Sequence, residues 1–149
     1  MTVYADTSFL VSFLYRADAG HAAARAFFRQ HAKDEWLTSS WSQFETVNSL
    51  RQLCRHRPAP RPQVPEALRR LFKHWHDRGA FSLREADLEE AVRECGQISA
   101  AHGTRLAMRA ADVLHVALLE QINPDLFVTR DREQHDLAVA RAFQSHLVA

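Results

Sequence analysis

Short apolar runs alternate with longer amphipathic segments along the whole chain of 149 residues. The short runs are rich in β-branched and aromatic residues, and they predict strands at 2–5, 36–38, 80–83, 126–129 and 146–148. Apolar positions at helical spacing predict helices at 8–16, 21–33, 66–78, 87–102, 112–121 and 133–143, and a further helix from residue 42. Such an order favours an α/β fold with a parallel sheet covered on both faces.

Two of the predicted helices differ in how much of their surface is apolar. The helix that starts at Ser42 has Phe44, Val47, Leu50 and Cys54 at helical spacing, so we expect it to bury this stripe and to present Glu45 beside it. The helix at 112–121 is apolar almost all round, which is typical of a helix buried inside the protein.

Four of the five prolines fall within residues 57–65 and break the helical pattern there. We expect a stiff, extended connection at 57–65. Too little chain lies on either side of it for two separate cores, so residues 1–149 are predicted to form a single domain.

The composition excludes several classes of protein. Cys54 and Cys95 have no spacing typical of a zinc site, and two such cysteines suit a reducing compartment, which makes the cytoplasm the expected location. The apolar stretch 9–15 is too short to span a membrane, and no secretory leader is recognised. The net charge of +1 hides a separation: residues 51–84 carry +7 and the remainder −6. The basic part suits either a polyanion-binding surface or a solvated helix face.

Four acidic residues fall at positions where a binding site is expected. Asp6 and Asp131 follow predicted strands, and ligands of open parallel sheets bind at the carboxyl ends of the strands. Asp112 begins the apolar helix, so its carboxylate should point inward and need a cation, and Glu45 lies one turn into its own helix. Four carboxylates without clustered His or Cys favour Mg²⁺, with Mn²⁺ as a substitute, and phosphoryl chemistry.

Each aspartate also has a purely structural interpretation. Asp6, Asp112 and Asp131 all stand where a helix N-cap is expected, and aspartate is strongly favoured there. If the four acids share one site, their like charges should raise the pKa of some of them in the metal-free protein.

Four segments resemble the sequence motifs of PIN domains and occur in the order found in that family. The first is VYADTSFL at residues 3–10, and the second is the pair LTSS at 37–40 and ETVNSL at 45–50. The third is ADVLHVA at 111–117, and the fourth is FVTRD at 127–131. Together they span the chain from its first strand to its last predicted helix.

This resemblance implies a three-layer α/β/α fold with a central, mainly parallel sheet of four to five strands. It also implies a metal-dependent endoribonuclease that acts on RNA, similar to VapC-type toxins of toxin-antitoxin pairs. Such toxins are typically homodimers that a small antitoxin protein neutralises. The metal ligands carried over are Asp6, Glu45, Asp112 and Asp131. Thr7, Ser8 and Thr129 either orient these ligands or serve as ordinary caps and turns.

Some positions stay open on the sequence alone. Asp136 is an alternative to Asp131 as the fourth acid, although Asp131 follows the strand directly. His115 either contacts a carboxylate or substrate or packs in the core, and packing is favoured. Arg130 binds a phosphate or forms a surface ion pair. Core packing is also favoured for Trp75. The competing function is a PIN-like domain that binds RNA or protein without cleaving it.

Overall fold

A computed structural model describes residues 1–55 and 63–149 of the chain. Its centre is a five-stranded sheet in which every pair of neighbouring strands is parallel. The strands are β1 (Thr2–Ala5), β2 (Glu35–Thr38), β3 (Ser82–Leu83), β4 (Leu126–Thr129) and β5 (Ser145–Leu147). Their spatial order is β3-β2-β1-β4-β5, so β1 lies in the middle. The prediction of a mainly parallel sheet is confirmed.

Seven α-helices occur within the described residues, and they connect the parallel strands as such sheets require. They are α1 (Thr7–Leu14), α2 (His21–Gln30), α3 (Ser40–Arg55), α4 (Gln63–Phe72), α5 (Leu88–His102), α6 (Ala110–Ile122) and α7 (Arg132–Ala140). A π-helical turn, Lys73–Asp77, continues α4. Gly79 follows with a φ of +54°, a conformation that favours glycine at the end of a helix. No helix in the described part of the chain is long and apolar enough to cross a bilayer.

The central strand β1 divides the hydrophobic core into two parts. Successive side chains of a strand point to opposite faces, and Val3 and Ala5 pack in one cluster with Phe9, while Tyr4 packs in the other with Phe127. The first cluster lies beneath α1 and α2, and the second beneath α6 and α7. The chain therefore forms the three-layer α/β/α arrangement that its pattern predicts.

Stacked and edge-on aromatic rings fill much of the first cluster. Phe9 lies between Phe13 and Trp36, with ring centroids 6.3 and 5.3 Å away. Burying each large apolar side chain stabilises the fold by roughly 1.5–3 kcal/mol. Trp75 packs against the same cluster, which confirms the interpretation of this residue as a core residue.

The beginning of α3 differs from its prediction. The helix starts at Ser40, and Phe44 is 62% exposed rather than buried. Leu50 is buried as predicted and Val47 is partly buried, but the buried stripe also runs through Ser42 and Thr46. Small polar residues are buried here because the Tyr4 hydroxyl lies 2.7 Å from Ser42 Oγ, and Thr46 Oγ1 donates to the Ser42 carbonyl at 2.6 Å. A fully buried hydroxyl needs such partners.

The proline-rich segment was predicted to stay extended through Pro65, and that boundary is wrong. Helix α4 begins at Gln63, so Pro65 lies in its first turn. Proline is tolerated there because the first N–H groups of a helix have no carbonyl partner in the helix. Most of the predicted extended connection, residues 57–62, lies outside the described residues.

Replacing Phe127 by alanine should lower the free energy of unfolding by about 3–5 kcal/mol, because a fully buried ring is lost from the central sheet. The exposed Phe44 provides the matched control, and Phe44→Ala should change the free energy of unfolding by less than about 0.5 kcal/mol. Urea unfolding followed by circular dichroism measures both. Equal midpoints for the two variants would contradict the described packing.

His74 should make the protein less stable in mild acid. Burial against Phe13 and Phe81, together with nearby arginines, lowers its pKa to about 4. In the unfolded chain His74 takes up its proton near pH 6.5. The unfolded state therefore binds more protons as the pH falls from 6.5 toward 4, and stability declines over that window.

The variant His74→Leu tests this linkage. We expect the unfolding midpoint of the variant to rise relative to that of the original chain as the pH falls from 7 to 4.5. A difference that stays constant over this range would show that His74 does not titrate differently in the folded and unfolded states.

Candidate active site

An acidic cleft of about 430 Å³ lies at the carboxyl ends of β1 and β4. Its lining includes Glu45, Asp112 and Asp131, together with Arg130. A larger cavity of about 510 Å³ lies between α5 and α6, but its lining is mainly apolar and includes no carboxylate within the described residues. We therefore place the candidate site in the acidic cleft.

Asp6 lies at the end of β1 and is completely buried. It caps α1, since Phe9 N–H donates to its Oδ1 at 2.8 Å, and Thr129 Oγ1 donates to its Oδ2 at 2.9 Å. The Ser8 hydroxyl lies within 2.9 Å of both carboxylate oxygens. Burial raises the pKa of Asp6, although these donors and the charge of His115 oppose the shift. The capping interpretation is correct for Asp6, and its carboxylate lies beneath the cleft surface.

Glu45 projects from α3 toward the N-terminus of α1. Its Oε2 accepts hydrogen bonds from Thr7 Oγ1 and from His115 Nε2, the latter at 2.6 Å. Burial alone would raise the pKa of Glu45, but the hydrogen bond and charge of His115 and the hydrogen bond of Thr7 outweigh it, so the pKa is lowered. Glu45 is therefore held as a carboxylate.

Asp112 lies in the first turn of α6 and is almost fully buried. Its Oδ2 accepts the Arg109 N–H at 2.8 Å, and its Oδ1 accepts Gln134 Nε2 at 3.1 Å. Asp112 is the third residue of α6 and the N-cap is Arg109, so the prediction that Asp112 is itself the N-cap is wrong. Its side chain instead accepts the N–H of the N-cap residue, as in a capping box, and joins α6 to α7. The predicted inward orientation is confirmed.

Asp131 follows β4 and caps α7. Its Oδ1 accepts the N–H groups of Glu133 at 2.8 Å and Gln134 at 3.2 Å, whereas Oδ2 accepts no hydrogen bond from the described residues. Asp136, the alternative fourth acid, is exposed on α7, and Asp131 lines the cleft in its place.

The structure therefore brings Glu45, Asp112 and Asp131 to one cleft, with Asp6 directly below it. Within residues 1–55 and 63–149, no three acidic, histidine or cysteine side chains are already close enough to hold a metal ion together. The available donors are nevertheless carboxylate oxygens, which suit Mg²⁺ and Mn²⁺, and Glu45 Oε1 accepts no hydrogen bond from the described residues. The chemistry of the donor set fits such an ion.

The expectation of raised carboxylate pKa values is correct for Asp6, where the cause is burial rather than neighbouring acids. For Glu45 the expectation is wrong, because His115 lies against its carboxylate. The sequence interpretation favoured core packing for His115. The ring is indeed fully buried, but it also holds Glu45.

The three predicted supporting residues all contact an acid of the site. Thr7 bonds Glu45, while Ser8 and Thr129 bond Asp6. Gln134 was not predicted, although its place three residues after the Asp131 cap directs it back toward the first turn of α7. An ion pair was one of the two interpretations of Arg130, and the structure shows one with Asp18. Its partners Ser12 and Asp18 were not predicted, because they lie more than 100 positions away in the chain.

Residues 3–140 match the family model of the PIN domain. Among solved structures, the chain is similar to VapC20 of Mycobacterium tuberculosis, described as a toxin that cleaves the sarcin-ricin loop (17% identity, TM-score 0.66, 95% of each chain covered). It is also similar to VapBC2 of Rickettsia felis, whose structure includes a promoter DNA fragment (11% identity, TM-score 0.70, 100% of each chain covered). A third similar structure is FitAcB of Neisseria gonorrhoeae (13% identity, TM-score 0.62, 96% of this chain and 95% of that chain covered). A comparison with curated proteins found no match.

The parallel α/β/α fold is the architecture that the chain shares with these structures. The chain belongs to the PIN domain family.

Asp112→Asn should leave the metal-free protein at least as stable as the original chain. The asparagine oxygen can still accept from Arg109, and one negative charge is removed. The asparagine amide can donate to Gln134 Oε1, which is buried without a partner in the described residues, once the Gln134 carboxamide turns over from its present contact through Nε2. Asp112→Ala should lose about 1 kcal/mol, because the hydrogen bond from the Arg109 N–H to the side chain disappears. Thermal unfolding in chelator compares the two variants, and an asparagine variant no more stable than the alanine variant would contradict the prediction.

Proposed function

We propose that this chain is a metal-dependent endoribonuclease and the toxin of a type II toxin-antitoxin pair. The observation that carries the proposal is the convergence of Glu45, Asp112 and Asp131 on one cleft of a PIN domain, above the buried Asp6. Three carboxylates on one open surface repel each other, and a divalent cation offsets that repulsion.

Asp6, Glu45, Asp112 and Asp131 are the residues that would hold Mg²⁺, or Mn²⁺ in its place. Neither Asp131 Oδ2 nor Glu45 Oε1 accepts a hydrogen bond from the described residues, so both atoms can bind the ion without losing one. Asp6 would take part if the hydroxyls of Ser8 and Thr129 rotate away from it. The bound ion would orient a water, lower its pKa and neutralise charge on the phosphodiester.

Hydrogen bonds from surrounding residues of the chain hold Glu45 and Asp112 in place. His115 and Thr7 direct Glu45 into the cleft, and Gln134 joins Asp112 to α7. Partners of this kind restrict the rotation of metal ligands, and their loss typically costs about 10–100-fold in metal affinity or activity.

The proposed partners are an RNA substrate, a small antitoxin protein and a second copy of the chain. The antitoxin proposal is supported by the fold shared with VapBC2 and FitAcB, and the homodimer by the resemblance to VapC-type toxins. The proposed location is the cytoplasm. Light scattering of the purified protein tests the homodimer.

The alternative, a PIN-like domain that binds without cleaving, is favoured by two observations. Both oxygens of Asp6 accept hydrogen bonds from protein donors, and within the described residues no three-residue metal cluster is preassembled. A cleavage assay separates this alternative from the proposed nuclease.

Purified protein should cleave a panel of tRNA and ribosomal RNA in Mg²⁺ or Mn²⁺ but not in chelator. Asp6→Asn and Asp112→Asn should each lower the cleavage rate by more than about 100-fold. Losing a metal ligand should cost more activity than losing a residue that only hydrogen-bonds a ligand, which typically costs about 10–100-fold. Asp136→Asn is the matched control, because it removes the same charge from an exposed site on α7 and should cleave normally.

RNA binding without cleavage under every metal condition would replace the nuclease proposal with the binding-domain alternative. Cleavage that survives Asp112→Asn but is lost in Asp136→Asn would overturn the assignment of the acidic residues.

A further inference from the structure

We propose that Arg130 binds a phosphate of the RNA substrate beside the carboxylates, an inference that rests on the proposed nuclease function. Arg130 lies between the end of β4 and the Asp131 cap of α7. Its backbone N–H donates to Ser8 Oγ at 2.8 Å. This contact connects the position of Arg130 to the same serine that hydrogen-bonds Asp6.

Arg130 contributes a positive charge to a cleft that is otherwise acidic. The cleft is lined by the carboxylates of Asp18, Glu45, Asp112 and Asp131, and within the described part of the chain Arg130 is its only arginine or lysine. Asp18 is already paired with Arg130. A phosphodiester approaching the other three carboxylates is repelled unless cations compensate. Arg130 supplies one such charge from the protein itself.

Two of the three guanidinium nitrogens of Arg130 are held by hydrogen bonds. Nη1 donates to Ser12 Oγ at 2.9 Å and to Asp18 Oδ1 at 2.8 Å, and Nε donates to the Val148 carbonyl at 3.3 Å. Nη2 makes no hydrogen bond to any described residue. The group is therefore positioned in advance and keeps one amino group for a ligand, which suits the directional recognition of phosphate by arginine.

Gly20 provides the space for this arrangement. A Cβ atom at Gly20 would lie 1.9 Å from Arg130 Cζ and 2.0 Å from Nη1. The φ of Gly20 is −89°, which any residue can adopt, so the requirement for glycine here is steric rather than conformational. Any side chain at position 20 would displace the guanidinium.

An ion pair that only stabilises the fold is the competing explanation. Asp18 and Arg130 are both partly buried, and breaking such a pair can destabilise the loop before α2. The two explanations differ for Asp18→Asn. If the pair is purely structural, Asp18→Asn and Arg130→Gln should act alike, whereas with a phosphate-binding arginine only Arg130→Gln should weaken RNA binding.

The first experiment measures binding of a fluorescein-labelled, 12-nucleotide single-stranded RNA by anisotropy, in chelator, over a series of salt concentrations. Arg130→Gln should weaken binding by at least about tenfold, since hydrogen bonds to charged groups are strong. It should also reduce the slope of log affinity against log salt by about 0.7, the value for one lost phosphate contact on a single strand.

Two further variants test the geometry. Asp18→Asn should bind RNA as tightly as the original chain or more tightly, because it removes a negative charge and keeps the arginine. Gly20→Ala should weaken binding although it changes no charge, because the guanidinium is displaced. Unfolding midpoints of all variants show that each is folded under the assay conditions.

Arg141→Gln is the matched control. Arg141 is also a partly buried, ion-paired arginine, with 27% of its side chain exposed against 24% for Arg130, and its partners Glu94 and Glu120 lie on α5 and α6. It should leave both the affinity and the salt slope unchanged.

Equal affinity and equal salt slope for the original chain and Arg130→Gln would overturn the assignment, as would parallel losses in Arg130→Gln and Asp18→Asn. The cleavage assay is independent of this result. An original chain that does not cleave RNA in Mg²⁺ overturns the nuclease proposal, whereas a cleaving chain with unchanged RNA binding in Arg130→Gln overturns only the phosphate contact.

Discussion

The buried carboxylate of Asp6 organises the candidate site. It stands at the end of the central strand, caps α1 through Phe9 N–H and accepts hydrogen bonds from Ser8 and Thr129. Those two hydroxyls in turn accept the backbone N–H groups of Arg130 and Asp131. One buried acid thereby aligns β1, β4, α1 and the start of α7, and a carboxylate this deeply buried requires such a set of donors.

A second network approaches the cleft from α3 and α6. His115, on the inner side of α6, holds Glu45 of α3, while Asp112 on the same helix is held by Gln134 of α7. The result is a division of roles among the acids. Glu45 is kept ionised by a neighbouring imidazole, whereas burial favours the protonated form of Asp6.

Much of the architecture and the identity of the acids could be predicted from local patterns. Strand β1 and strand β4 begin and end where their apolar runs do, and α6 is buried as its apolar surface indicates. Local patterns failed at Phe44 and Pro65. Whether Phe44 is buried depends on which residues face α3. The Tyr4 hydroxyl faces this helix, so the side with Ser42 and Thr46 is buried and Phe44 is exposed. Pro65 is compatible with α4 because it lies in the first turn, where a helix tolerates proline.

The amino-acid sequence by itself determined the order of strands and helices and the residue types at the strand ends, because these depend on neighbours a few positions away. Only the tertiary structure decided which acids share a cleft, which one is buried and which partner each has. Asp6 and Thr129, Glu45 and His115, and Asp18 and Arg130 are 123, 70 and 112 positions apart. Their contacts arise from the crossovers of a parallel sheet, which bring distant segments of the chain to one edge.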